Sequence, residues 1–151
     1  MSKKYIHYGS SHFDKEKFIP IVNETVFVKP HGGMWASPCN SKFGWKEWCE
    51  SENWRIERLL EHFVFELKEN SDVLIIDSNA NLDALKSMGY CIEYLNYASS
   101  DQYYLDFEKL LDKGWDAIEV HINSEIYWSL YGWDCDSLLV LNPDCIVEIT
   151  K

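Results

Sequence analysis

The sequence predicts an α+β fold, and three observations carry that prediction. Strand-type segments outnumber helical ones and do not alternate with them regularly, as a doubly wound sheet would require. The helical periodicities are short and stop at glycines, Gly89 and Gly114. The unbroken apolar run Leu138 to Leu141 has the form of a strand covered on both faces. With 151 residues, 46% hydrophobic and 26% charged, the chain fits a single domain over residues 1–151, large enough to bury a real core. No repeat, low-complexity segment or linker divides it.

Taken in order, Lys4 to Tyr8 (KYIHY) alternates in aromatic and β-branched residues and reads as a strand that ends at Gly9-Ser10-Ser11, with His7 near its end. Asp14 caps a helical turn through Phe18, which Pro20 stops. Val26 to Val28 reads as a strand leading into Lys29 to Ser37 (KPHGGMWAS). There Gly32 and Gly33 release the backbone from the restriction that Cβ imposes, and Pro30 fixes the approach. The stretch is either a ligand-binding turn presenting Trp35 and Ser37 or a tight β-turn whose Met34 and Trp35 are core.

After Pro38, the positions Trp45, Trp48, Cys49 and Glu52 fit one face of a helix capped by Ser41. Trp54, Ile56, Leu59 and Leu60 extend it into a second turn or connector. The indoles Trp45, Trp48 and Trp54 read as packing rather than as a stacking platform. His62 to Leu67 (HFVFEL) and Asp72 to Ile76 (DVLII) are strands joined by a polar link, either as a hairpin or at a sheet corner. Asn79 to Met88 is a helix with Leu82, Leu85 and Met88 on one face. Asn96 to Tyr104 is a loop anchored by Tyr103 and Tyr104. Asp106 to Lys113 is a helix, Trp115 to Ile122 a strand, and Asn123 to Asp136 a turn or short helix with a loop. The chain turns at Asn142-Pro143-Asp144 and closes with the strand Ile146 to Ile149, on which Glu148 points outward.

The formal charge of −11 and the presence of only two arginines, Arg55 and Arg58, disfavour bulk attraction to nucleic acid. A single nucleotide is still compatible, because a few donors such as Lys29 and backbone N–H groups hold phosphates. Aromatic residues at 15%, seven of them Trp, supply flat surfaces for a core or for a ring-bearing ligand. The five cysteines are odd in number and contain no C-x-x-C pair, which indicates a reducing compartment. No apolar run has the length of a signal peptide or membrane span, so the expectation is a cytoplasmic protein without a membrane partner. His7, His12 and His31 lack zinc-ligand spacing, and no G-x-S-x-G elbow is present, so neither a metal site nor a nucleophilic serine is expected.

The phrases IHYGS, GGMWAS, HFVFELKENSDVLIIDS, GWDAIEV and SLLVLNPDCI follow one another in an order that resembles the ADP-ribosyltransferases, in the branch of diphtheria toxin and the poly-ADP-ribose polymerases. The resemblance implies a split sheet, two small packed β-sheets with short flanking helices, and NAD as co-substrate. It implies that His7, with Gly9 and Ser10 after it, bonds the adenosine ribose. Trp35 would take the place of a tyrosine that stacks on nicotinamide, with Gly33 and Ser37 beside it. The family's late glutamate, which stabilises the oxocarbenium-like ribose as nicotinamide leaves, has no counterpart of the same type. Its place falls at about Asp136 or Ser137, so Asp136 is the first candidate, with Asp134 and Glu125 as others. The implied activity is transfer of ADP-ribose to an unnamed acceptor, a protein among the candidates. The alternative is a catalytically inactive nucleotide- or protein-binding module on the same fold.

Overall fold

A computed structural model of the chain describes residues 2–24, 28–92 and 102–149. The strand expected at Val26 to Val28 and the loop expected at Asn96 to Tyr104 lie outside these residues, except for Val28 and residues 102–104. In chain order the elements are β1 (Lys4–Tyr8), β2 (Met34–Pro38), α1 (Trp45–Glu52), β3 (His62–Leu67), β4 (Val73–Ile76), α2 (Asn79–Ser87), α3 (Phe107–Asp112), β5 (Ala117–Val120), β6 (Ser137–Val140) and β7 (Ile146–Glu148). Short 3₁₀ turns occupy Lys15–Lys17, Ile56–Leu60 and Pro143–Cys145. The fold is therefore α+β.

The strands form one mixed sheet in the order β4-β5-β6-β2-β1-β3-β7, in which only β4 and β5 run parallel. Two small separate sheets were expected; the halves are instead joined through β2. Its first residues, Met34 to Ala36, pair with β6, and its last, Ser37 and Pro38, pair with β1. The halves still pack on each other, because Tyr5, Phe63 and Phe65 from one meet Ala117, Leu138 and Val140 from the other in a single cluster. On the opposite face, α2 and α3 cover the β4-β5-β6 half through Leu82, Leu85, Phe107 and Leu110, which pack with Ile76, Ile118 and Leu139. All four residues of β5 and of β6 are buried, as the run Leu138 to Leu141 predicts.

Between β3 and β4 the hairpin reading fails, since β3 pairs with β1 and β7 while β4 pairs with β5 at the far edge. Hydrogen bonds at the link decide this. Lys68 N–H donates to the Cys145 carbonyl at 2.8 Å, and Asp72 N–H donates to the Asp116 carboxylate at 2.8 Å. In a flat sheet β3 and β4 would stand about 24 Å apart, five spacings of about 4.8 Å. Six residue steps reach only about 20 Å, so the sheet must bend about β2.

Several local expectations hold: Asp14 caps its turn by accepting from Glu16 N–H, and Gly89 follows α2 in a left-handed conformation with φ +85. Ser41 does not cap α1; Gly44 stands at that position. Glu148 is not simply outward. It accepts from Phe13 N–H at 2.6 Å and from His12, which ties the segment after β1 to the last strand.

The glycine pair directly precedes β2, and its main reason lies within the protein. A Cβ on Gly32, which has φ +80, would lie 2.1 Å from the Pro20 carbonyl oxygen, while Gly33 N–H donates to the Ile19 carbonyl at 2.8 Å. Gly32→Ala is expected to destabilise the protein by about 4 kcal/mol, from left-handed strain plus the clash. Gly132→Ala, at φ +101 with nothing within 4 Å, carries the strain alone and is expected to cost about 1–2 kcal/mol. Urea denaturation of the two variants measures the difference.

Candidate functional site

The pairing of β1 with β2 covers only Tyr5 with Pro38 and Ile6 with Ser37. Beyond it the strands part, and a cavity of about 680 Å³ opens that both line. This volume lies within the range of small-molecule sites. At the parting, the carbonyl of Trp35 takes a side-chain donor instead of a strand partner: His7 Nδ1 lies 2.6 Å from it. A carbonyl only accepts, so Nδ1 carries the proton, and Nε2 of the neutral ring is an acceptor. Burial lowers the His7 pKa against the pull of the Trp35 carbonyl, and the nearby positive charge of Arg58 lowers it further. The imidazole is neutral near pH 7.

A run of indoles set edge to face lines the cavity. Ring centroids are 5.9 Å apart for Trp35 and Trp45, 5.8 Å for Trp45 and Trp48, and 5.6 Å for Trp48 and Trp54. Local structure aims them. The Ser37 hydroxyl accepts from Trp45 N–H at 2.8 Å, the Glu47 carboxylate accepts from Gly44 N–H at 2.9 Å, and together they satisfy the start of α1. After α1, Asn53 and Arg55 both take left-handed φ, 51 and 48. This reverses the chain so that the guanidinium of Arg55 sits 4.5 Å over the Trp54 ring.

The cavity collects Lys17, Lys29, Arg55 and Arg58 against the carboxylates of Asp14 and Asp134. Both arginines of a chain with charge −11 are therefore here. Such local concentration, beside aromatic walls, suits an anionic ligand that carries rings. Lys29 Nζ lies 5.4 Å over the Trp35 ring, 4.8 Å over the Trp45 ring and 3.5 Å from Asp134. Lys29 and Asp134 also border a second cavity of about 470 Å³, with Glu24, His31, Gln102 and Tyr131 on its other sides.

Of the residues expected to hold NAD, His7, Ser10, Gly33 and Trp35 line the first cavity. Gly9 is in the turn after β1, where its N–H donates to the Glu61 carbonyl at 2.9 Å. Ser37 is buried and faces the start of α1, donating to the Asp136 carbonyl at 2.9 Å. Among the three carboxylates, Asp134 alone lines the first cavity. Asp136 accepts from the Ser41 hydroxyl at 2.7 Å and from Ile122 N–H at 2.9 Å, so both of its oxygens hold loops together. Glu125 accepts from Asn79 N–H at the start of α2 and is exposed.

Two features are not legible in the sequence, one at the cavity and one in the sheet. Trp45, Trp48 and Trp54 pack on one another as their spacing predicts, and all three also line the first cavity. Their coincidence with both arginines within fourteen residues is the signal that would have found them. Glu119 on β5 is 1% exposed and accepts from Tyr5 OH at 2.6 Å, from Lys3 and from His121. It alternates with Ile118 and Val120 on β5, and that spacing alone does not reveal a buried charge. The five cysteines are unpaired. No group of three or more His, Cys, Asp or Glu that could hold a metal occurs among the described residues. No helix among them is long and apolar enough to cross a membrane. Compared with protein-family models, with curated protein sequences and with solved structures, the chain has no match.

Proposed function

We propose that the chain is an NAD-dependent ADP-ribosyltransferase-like domain whose NAD site is the cavity between β1 and β2. The observation that carries the reading is the His7 imidazole bonded to the Trp35 carbonyl where the two strands part. It brings the two residues that the sequence resemblance pairs with ribose and nicotinamide into one cavity. In this reading His7 Nε2 accepts from a ribose hydroxyl, and Arg55 and Arg58 hold the pyrophosphate. Trp35 faces the nicotinamide ring. Asp134 replaces Asp136 as the carboxylate that stabilises positive charge on the ribose as nicotinamide departs. The sheet, continuous through β2 but with its two halves packed on each other in one cluster, is the observation that supports the finer assignment to the ADP-ribosyltransferase fold.

One observation favours the second reading, a binding module without turnover: among the described residues no glutamate lines the cavity. Binding of NAD with no release of nicotinamide selects that reading.

The test is thermal. NAD at about tenfold above its Kd is expected to raise the melting temperature by about 4 °C. His7→Ala is expected to weaken NAD binding by about tenfold, the worth of one hydrogen bond to a buried ribose hydroxyl. No shift with NAD, in a protein that unfolds cooperatively, removes the enzyme reading and leaves of the second only a module for a protein or for another nucleotide.

A further inference from the structure

We infer that the space between Trp35, Trp45 and Asp134 is a cation site that Lys29 of the same chain fills, and that a flat or quaternary cationic ligand enters by displacing the Lys29 ammonium. Two indole rings lie within 6 Å of that ammonium, at 5.4 and 4.8 Å, and a carboxylate oxygen lies 3.5 Å away. Aromatic faces joined by a carboxylate are the surroundings in which a weakly hydrated cation gains most. A primary ammonium gains less there, because it is compact and strongly hydrated. A pyridinium or quaternary ammonium offers more contact and loses less hydration on entry.

Lys29 also has somewhere to go. Its side chain borders the second cavity as well as the first, and that cavity carries Glu24 and Gln102. Four methylenes give it the reach to swing across the wall it shares with Asp134. Two cations cannot occupy the same cage, so the ligand's entry and the lysine's departure are one event. The site is thus closed by its own side chain and selects for charge rather than for ring shape alone.

The inference deepens the NAD reading, since the nicotinamide ring of NAD is a pyridinium; it rests on that reading only for the natural ligand. The experiment titrates the intact protein with 1-methylnicotinamide cation and with neutral nicotinamide, following tryptophan fluorescence. Lys29→Met is expected to bind the cation about tenfold more tightly than the unaltered protein, with the neutral ring changed by less than about twofold. Lys29→Gln, shorter and neutral, carries the same expectation should Lys29→Met not fold, and Lys29→Arg is expected to bind the cation as weakly as the unaltered protein. Asp134→Asn added to Lys29→Met is expected to reverse the gain. A gain equal for both rings, or no gain in either neutral variant, overturns the inference. Tighter cation binding with no effect of NAD keeps the cage and removes the enzyme reading; NAD turnover with no gain in Lys29→Met does the opposite.

Discussion

Asp134→Ala is expected to lower nicotinamide release from NAD on the order of 100-fold or more while leaving the melting temperature almost unchanged. Asp136→Ala is expected to do the reverse. The two aspartates stand two residues apart on one loop, and their surroundings divide the roles. Asp134 borders the cavity, and its charged partner is Lys29 at 3.5 Å, with both side chains in part open to water. An ion pair that water still reaches contributes about 1 kcal/mol, so removing the carboxylate costs the fold little. Asp136 binds the Ser41 hydroxyl and Ile122 N–H through separate oxygens, while its own N–H donates to the Phe43 carbonyl at 3.0 Å. Truncating its side chain leaves two donors without a partner and loosens two loops, at a cost of about 2–3 kcal/mol. Nicotinamide release and thermal melting, measured on both variants, separate the roles; loss of turnover only in Asp136→Ala returns the catalytic assignment to that residue.

Glu119→Gln is expected to destabilise the protein by about 3 kcal/mol near pH 7, or about 10 °C in melting temperature. Burial works to raise the Glu119 pKa, but the bonds from Lys3, Tyr5 and His121 outweigh it and hold the carboxyl below its usual range. The same contact, after burial, raises the Tyr5 phenol. A carboxyl whose folded-state pKa is depressed contributes stability above its unfolded value, about 4.3. That contribution is lost as pH falls through the lower folded value. The difference between the unaltered protein and Glu119→Gln should therefore be full above about pH 5 and shrink below it. Urea unfolding across pH 3–7 measures this, and a difference that does not change with pH removes the account of Glu119 as a buried anion.

Legibility in the sequence differs between elements, for physical reasons. The strands Lys4–Tyr8, His62–Leu67 and Ser137–Val140 and the helix Asn79–Ser87 are dictated locally, by alternation, by burial on both faces and by caps. Their partners are not. Nothing in Lys68 to Ser71 tells that the next strand leaves for the far edge, because the bonds that take it there come from Asp116 and Cys145. The site divides the same way. His7 and Trp35 announce themselves because each lies in a short patterned motif, and they meet in one cavity. Ser37 and Asp136 have the right residue types in the right order, yet long-range packing engages them with the start of α1 and with residues 41 and 122. Gly32 shows the limit most plainly. Its conformational freedom is legible, but the reason for it is the Pro20 carbonyl, twelve residues earlier.

The most direct measurement is a crystal structure of the protein soaked with NAD. The dinucleotide is expected between β1 and β2, with a ribose hydroxyl on His7 Nε2 and the pyrophosphate against Arg55 and Arg58. The nicotinamide ring should lie on Trp35 near Asp134, with Lys29 turned toward the second cavity. An empty cavity at saturating NAD, or NAD bound elsewhere on the protein, contradicts the proposed NAD site.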